Sequence, residues 1–249
     1  LPNDVWVPST RNVKPESAIQ GSAGYFRNFN NNMYETSLEL YYRKMDNIIE
    51  YDNGYTPEIG RQLERDFVYG EGESFGAEMY VKKRKGNLTG WVSYTLSKTT
   101  RFFDDLRTSV FPSPYDRRHD LSIVGSYRLN ERWSVSSTFV YGTGQPTTIP
   151  KRRFITEGTV HNVYGKRNNY RLEDYHRLDI SATLRAKNYK QKDFKSEWIF
   201  SIYNVYNHKN PFFIYFENEG NLLSGDFNTQ AKKVALFPII PSVRWNFEF

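Results

Sequence analysis

The feature that most constrains this chain is a period-two alternation of apolar and polar residues. It is clearest in residues 177–186, where even positions are apolar and odd positions are polar: Leu178, Ile180, Ala182, Leu184 and Ala186 against Arg177, Asp179, Ser181, Thr183 and Arg185. Because successive side chains of an extended strand point to opposite faces, this pattern predicts a strand with one apolar and one polar face.

The same alternation, bounded by turn residues, recurs along the chain and predicts nine strands. They cover residues 17–28, 34–51, 71–84, 88–101, 118–128, 133–142, 175–187, 196–207 and 235–249. All are about ten residues or longer, which is the length that a tilted strand needs to cross a bilayer. Strands of soluble sandwiches are shorter, at about five or six residues.

The connections between the predicted strands alternate between short and long. Short ones fall at 30–33, 85–88 and 130–132, with an intermediate one at 188–196, and long ones fall at 52–69, 102–117, 144–175 and 210–233. Short periplasmic turns and long extracellular loops are typical of outer-membrane barrels. This assignment directs the last strand toward the periplasm.

Composition narrows the choice of fold further. The chain has no apolar run of about 20 residues, so a helical membrane protein is excluded. A mean hydropathy of −0.72 does not exclude a barrel, because averaging over a lipid face and a wet lumen face conceals the apolar band. The 17% aromatic content fits interfacial girdles, and charged residues in mid-strand fit a polar lumen. We therefore expect an all-β, antiparallel transmembrane barrel rather than a soluble sandwich, which also alternates.

Several segments resemble TonB-dependent outer-membrane receptors, in particular those of Bacteroidetes, which often carry a carboxypeptidase-like regulatory domain. They are GESFGAEMYVKKRKGNLTGWVSYTLSKT, FPSPYDRRHDLSIVGSYRL, VYGTGQPTTIP, YHRLDISATLR, SIYNVYNHKNPF and the C-terminal PSVRWNFEF. The resemblance implies a 22-stranded barrel closed by an N-terminal plug. Residues 1–249 would be the C-terminal part of that barrel, about its last nine strands, without the plug and the first strands.

The resemblance also implies a function. A chain of this kind would belong to an active transporter of the cell outer membrane that takes up a scarce nutrient, such as a metal chelate, a glycan or a peptide. Its implied partners are TonB, through the absent N-terminal part, the barrel-assembly machinery, outer-membrane lipids and, in some members, a surface lipoprotein. The last strand, with Trp245, Phe247 and Phe249, resembles the aromatic-terminated assembly signal of such barrels.

Candidate ligand-binding residues lie in loops and at the outer end of the lumen. Aromatic and cationic side chains in loops suit glycans, peptides or anionic chelates, although they also serve loop packing; they are Trp6, Tyr55, Arg61, Arg152, Arg153, Tyr164 and Tyr170. In YDRRHD, Asp116, Arg117, Arg118 and His119 could meet ligand or plug, but a salt-bridged rim network is favoured. Arg177 and Asp179 are expected to face the lumen in a similar network.

Other functions find little support in the sequence. The four histidines are scattered without metal-ligand spacing, Asp104 and Asp105 suit a solvated loop better than calcium, and no cofactor motif is present. The net charge of +6 is spread among acids, which disfavours nucleic acid as a partner. No catalytic pair stands out. The alternatives are a passive porin or a secretion or assembly barrel, a soluble β-sandwich binding module, and an outer-membrane enzyme.

Overall fold

The computed structural model describes residues 8–51, 64, 67–104, 110–156, 159–187, 189, 194–220 and 228–249. Nine long strands, numbered in chain order with the short ones, form its framework: β1 (Ser17–Phe29), β2 (Tyr34–Tyr51), β3 (Phe67–Lys83), β4 (Leu88–Phe102), β6 (His119–Arg128), β7 (Trp133–Gly142), β12 (Tyr175–Arg185), β13 (Lys195–Tyr203) and β16 (Ile240–Glu248). The shorter strands are β5 (Phe111–Pro112), β8 (Pro146–Thr147), β9 (Pro150–Thr156), β10 (Thr159–Tyr164), β11 (Tyr170–Arg171), β14 (Pro211–Glu219) and β15 (Asn228–Ala235). Over these residues, no helix has the length and apolar character to span a membrane.

The nine long strands form one antiparallel sheet in the order β1-β2-β3-β4-β6-β7-β12-β13-β16. Each long strand pairs with the next long strand of the chain, so the sheet is a simple meander. Strand β5 adds to the end of β4, while β8–β11, β9–β10 and β14–β15 form separate two-stranded ribbons inside long connections. The predicted all-β antiparallel fold and all nine predicted strands are confirmed.

The predicted boundaries were wrong by four or five residues at three places: β3 begins at Phe67 instead of 71, and the other two lie near the C-terminus. The eighth strand ends at Tyr203 instead of 207, because Asn204 turns the chain with a φ of 54° and donates hydrogen bonds to the carbonyls of His208 and Phe237. The last strand begins at Ile240 instead of 235. The residues before it belong to the β14–β15 ribbon and to a turn at Phe237, whose φ is 58°.

The turn between β1 and β2 shows how the sequence encodes a short connection. Asn30, Asn31 and Asn32 all adopt positive φ, at 50°, 51° and 60°. Asparagine tolerates this left-handed region better than most residues, since its short polar side chain can hydrogen-bond locally. Three consecutive asparagines therefore reverse the chain within a few residues.

The sheet has one polar face that is rich in hydroxyls. A continuous row of serines crosses five neighbouring strands, because each serine lies opposite the next: Ser126, Ser136, Ser181, Ser201 and Ser242. Hydroxyl–hydroxyl contacts of 3.0 Å and 2.8 Å join the first two and the last two members. This face can hold water along its whole width.

The next row along the same strands lies on the opposite face and is apolar. Its members are Tyr127, Val135, Ala182, Phe200 and Val243. Phe200 and Val243 are 42% and 62% exposed, and no second sheet covers this face in the part of the chain that the structure describes. An uncovered apolar face of this width is a liability in water and is the expected surface of a strand in hydrocarbon.

The facing of β12 gives a direct test. Ile180 lies opposite Ser137 and Ile202 and is 38% exposed on the apolar face, whereas Thr183 has the opposite parity. We expect Ile180→Arg to destabilise the membrane-inserted protein by about 2–4 kcal/mol, as for a cation at mid-bilayer. Thr183→Arg, the control, should insert normally. Heat-modifiable gel migration measures insertion, and equal insertion of the two variants would contradict the assigned faces.

Candidate functional site

Long-range ion pairs and hydrogen bonds lie on the polar face at the end of the sheet where the long connections emerge. We call this end the long-loop end. Here the connection between β7 and β12, residues 143–174, folds back over the polar face. Its Arg171 forms an ion pair with Asp116 and donates 3.0 Å hydrogen bonds to the carbonyls of Asp116 and Gly144. Asp116 is only 2% exposed and also accepts a 2.6 Å hydrogen bond from the backbone N–H of Thr99.

A second set of contacts joins the β7–β12 connection to β2, on the far side of β3, β4 and β6. Glu50 accepts a 2.6 Å hydrogen bond from Arg101 and a 3.0 Å hydrogen bond from Arg167, and these three side chains are 17–23% exposed. Asn168 donates a 2.7 Å hydrogen bond to the carbonyl of Pro112. Because β3, β4 and β6 lie between β2 and β7, the described part of residues 143–174 forms a strap over these three strands.

A small apolar cluster lies at the same end. Phe103 and Phe111 are 0% and 2% exposed and their ring centroids are 6.0 Å apart, with Ile48 and Val68 packed beside them. This is the buried apolar core of the described residues, and it holds the β4–β6 connection against β2 and β3. The polar strap and this cluster together cover the polar face at the long-loop end of the sheet.

Two residues allow the two ends of the strap to lie side by side next to β7 and β12: a glycine after β7 and an aspartate before β12. A Cβ on Gly144 would lie 1.7 Å from the carbonyl oxygen of Leu172, so no larger residue fits there. Asp174 accepts hydrogen bonds from the Tyr141 hydroxyl at 2.6 Å and from the Gly144 N–H at 2.9 Å. These two donors, the tyrosine first, hold the pKa of Asp174 below its usual value.

Deeper along the polar face lies a groove of about 410 Å³ between β7, β12, β13 and β16. Its polar lining comes from hydroxyls, one acid and one arginine: Ser136, Thr138, Asp179, Ser181, Ser201, Tyr203, Ser242 and Arg244. Arg177 donates 3.0 Å hydrogen bonds to both carboxylate oxygens of Asp179 and lies 4.1 Å over the Tyr203 ring. The predicted position of Arg177 and Asp179 on the polar face is confirmed, and they form a structural network there.

The candidate ligand residues occupy different places. Trp6, Tyr55 and Arg61 lie outside the described residues. Asp116 is buried beneath the strap, Arg117 lies 3.6 Å from Asp120, and the carbonyl of Arg118 accepts a hydrogen bond from the backbone N–H of Ser97. Asp116, Arg117 and Asp120 of the YDRRHD segment thus take part in ion pairs at this end of the sheet.

Three further candidates lie on the β9–β10 ribbon, whereas Tyr170 lies in β11. Arg152 and Arg153 are on β9, and Tyr164, which is 57% exposed, ends β10. Arg153 donates a 2.8 Å hydrogen bond to Asn162 and lies 4.8 Å over the ring of Phe216 in β14, which joins this ribbon to the β14–β15 ribbon. In the described part of the chain these residues belong to an exposed loop structure rather than to the buried rim.

Sequence reasoning missed the residues that hold the strap. Glu50 and Arg167 are 117 positions apart, and nothing in their local sequence distinguishes them from solvated charges. The sequence grouped His119 with Asp116 at the rim of the lumen, either in a salt-bridged network or against a ligand or plug, but it lies opposite Leu96, on the apolar face, with Nδ1 2.8 Å from the Tyr94 hydroxyl. Among the described residues, no group of three or more potential ligands is arranged to hold a metal ion.

Comparison with known proteins gives a fold. No protein-family model and no curated protein sequence matches the chain. The ferripyoverdine receptor of the Pseudomonas aeruginosa outer membrane, solved with ferripyoverdine, matches 94% of this chain with a TM-score of 0.59 and 13% identity. The ferric-catecholate import receptor Fiu from E. coli K12 matches 81% with a TM-score of 0.55 and 15% identity, and the complex of FpvAI with pyocin S2 matches 94% with 0.59 and 14%.

These neighbours are TonB-dependent outer-membrane receptors, and the fold of this chain is therefore that of their β-barrels. The chain spans about a quarter of the length of the solved structures it matches, at 25–27%.

The strap makes a testable claim about the long-loop end. Asp116→Ala would remove the ion pair of Arg171 and the acceptor of the Thr99 N–H. Because Arg171 is 34% exposed, the cost is smaller than the ~3–5 kcal/mol of a fully buried pair. We expect residues 143–174 of the folded protein to open and become far more sensitive to limited proteolysis. The control is Asp120→Ala, which removes a more exposed partner, 47% accessible, and should change cleavage little. Equal cleavage rates in the two variants would refute the strap.

Proposed function

We propose that this chain is part of an outer-membrane active transporter of the TonB-dependent receptor type, as found in Bacteroidetes. One observation carries the proposal: a nine-strand antiparallel meander has a continuous uncovered apolar face and a hydroxyl-lined polar face. That division suits a wall between hydrocarbon and a water-filled lumen. The likeness to outer-membrane receptors supports the same conclusion.

In this proposal the nine strands are the last nine of a 22-stranded barrel. A plug domain and the earlier strands would come from sequence outside these 249 residues, and TonB would contact that part. Strands β1 and β16, which pair on one side only among the described strands, would each gain a partner in the complete barrel.

The proposed cargo is a metal chelate, in preference to a glycan or a peptide. The solved neighbours are described as receptors for ferripyoverdine and for ferric catecholates. Anionic chelates suit the arginines and the tyrosine on the β9–β10 ribbon, since guanidinium groups bind oxyanions through two parallel hydrogen bonds. Arg152, Arg153 and Tyr164 are the residues proposed to meet the chelate first.

The mechanism is binding followed by conformational gating. The extracellular loops and the plug would bind the ligand, and TonB would use the proton gradient of the inner membrane to displace the plug. The strap across the long-loop end favours a gated transporter over a passive porin, because it covers part of the polar face that an open aqueous channel would leave free. No bond of the cargo is broken in this scheme.

The short-turn end carries a proposed assembly signal. On the apolar face there, Trp245 lies 5.8 Å from Trp198 and 4.7 Å from Phe247 between ring centroids, and Phe249 is 93% exposed at the end of the chain. Such a cluster suits the interfacial aromatic girdle. We propose that the barrel-assembly machinery recognises this final strand.

Transport in cells tests the proposal. Cells that express the full-length protein should accumulate radioactive iron from a ferric chelate only while the inner membrane is energised and TonB is present, whereas surface binding should persist without either. Accumulation in de-energised cells would contradict active transport and favour a passive pore.

A pair of variants tests the binding residues in the same cells. Arg152→Ala combined with Arg153→Ala should weaken chelate binding by about tenfold. A buried hydrogen bond to a charged group contributes about 1.5–3 kcal/mol to the binding free energy, and the contribution is smaller on an exposed ribbon. Lys85→Ala, at the short-turn end, is the control and should bind normally. Unchanged binding in the double variant would remove the β9–β10 ribbon from the proposed site.

A further inference from the structure

Three of the four histidines lie close together on the apolar side of the sheet, at its long-loop end. His119 lies opposite Leu96 in the register, and His176 lies opposite Tyr141. Directly opposed residues of paired strands point to the same face, so both histidines share the face of Leu96. His208, just beyond β13, stacks on His176 with the ring centroids 3.7 Å apart.

Tyrosine hydroxyls fix the orientation of two of these rings. The hydroxyl of Tyr94 lies 2.8 Å from Nδ1 of His119, and the hydroxyl of Tyr206 lies 2.9 Å from Nδ1 of His176. With Nδ1 engaged, each ring has its Nε2 edge left for another partner. Nε2 of His208 is buried and has no hydrogen-bond partner among the described residues, so His208 contributes to this cluster through its stack on His176.

Two lysines extend the same surface. Lys98 follows Leu96 by two positions in β4, so it lies on the same face, and Lys209 follows His208; both are exposed. Neither lysine forms an ion pair with another described residue. The neighbouring acid, Asp174, already accepts hydrogen bonds from Tyr141 and Gly144. The surface therefore carries two lysine ammonium groups without an ion pair among the described residues, beside two histidine rings whose Nδ1 atoms contact tyrosine hydroxyls.

We call Lys98, His119, His176, His208 and Lys209 the histidine patch. It runs from β4 across β6, β7 and β12 to the end of β13, which is four strand spacings, or about 19 Å at about 4.8 Å each. Apolar residues of the same face continue toward the short-turn end, and the three tyrosines beside the patch suit the level of the lipid head groups.

We infer that the histidine patch binds the phosphates of a phosphorylated lipid head group in the outer leaflet. The patch faces the bilayer side, so a lipid meets it directly, whereas a solute in the lumen does not. Its breadth suits a head group with more than one phosphate, and its two ammonium groups are donors without an internal acceptor. Nε2 of His119 and of His176 can donate as well, in the tautomer whose Nδ1 accepts from the tyrosine hydroxyl. This inference rests on the proposed outer-membrane setting and does not depend on the cargo or on TonB.

Lipid retention by the purified full-length protein tests the inference. The protein would be placed in phosphatidylcholine nanodiscs that contain a small fraction of bisphosphorylated lipid A, and the bound lipid would be counted by native mass spectrometry after removal of the bulk lipid. The test variant combines His119→Gln, His176→Gln and His208→Gln. The matched control is His161→Gln, since His161 lies in β10 and stacks on Phe154 at 5.1 Å, away from the patch.

We expect the wild-type protein and the control to retain lipid A, and the triple variant to retain it at least about fivefold more weakly. Lys98→Gln combined with Lys209→Gln leaves the ring stack intact and should weaken lipid A retention similarly. This double variant replaces the triple variant in the test if the triple variant fails to insert.

Equal retention by the wild-type protein and the inserted variants would overturn the inference. Full competition by inorganic phosphate would also overturn it, because it would indicate a site for a soluble anion. Chelate uptake that fails while lipid retention persists would refute the proposed cargo alone.

Discussion

The structure depends on unbroken antiparallel hydrogen bonding between neighbouring long strands. In hydrocarbon no water can satisfy a free backbone N–H or carbonyl group, so each strand must pair along its length. The same register decides which side chains meet lipid, because a slip of one residue would exchange the two faces of a strand. The rows that contain Ser181 and Ala182 follow one another in β12 and remain on opposite faces through four further strands.

The charged residues at the long-loop end form ion pairs within the protein. Arg171 and Arg167 fasten the strap through Asp116 and Glu50, which lie on parts of the chain far away in sequence. Partly buried ion pairs of this kind specify one arrangement of a loop more than they add stability. An anionic group that competed for one of these arginines would loosen the strap.

The local pattern of the sequence predicts the nine strands and both faces, because period-two alternation depends only on neighbouring residues. It fails where tertiary contacts decide the outcome. The turn at Asn204 depends on carbonyls of His208 and Phe237, and the strap depends on a contact between Glu50 and Arg167. The β14–β15 ribbon lies in what the sequence predicted as a plain long loop.

His119 shows the same limit at the candidate site. The sequence grouped it with Asp116 as a residue of the lumen rim, but Asp116 lies before the start of β6 and is buried, whereas the register with β4 places His119 opposite Leu96 on the apolar face. Because three histidines converge on the apolar face through β6, β12 and the end of β13, no linear spacing could have grouped them.

The central claim is that the apolar face of the sheet lies in hydrocarbon and the serine face in water. The chain has no cysteine, so single nitroxide labels can be attached at Leu178, Ile180 and Ala182 and, separately, at Asp179, Ser181 and Thr183 after substitution by cysteine. In lipid bilayers, we expect the even positions to be accessible to oxygen, which partitions into hydrocarbon, and the odd positions to be accessible to a water-soluble nickel chelate. The same accessibility at both sets, or the reverse pattern, would contradict the account.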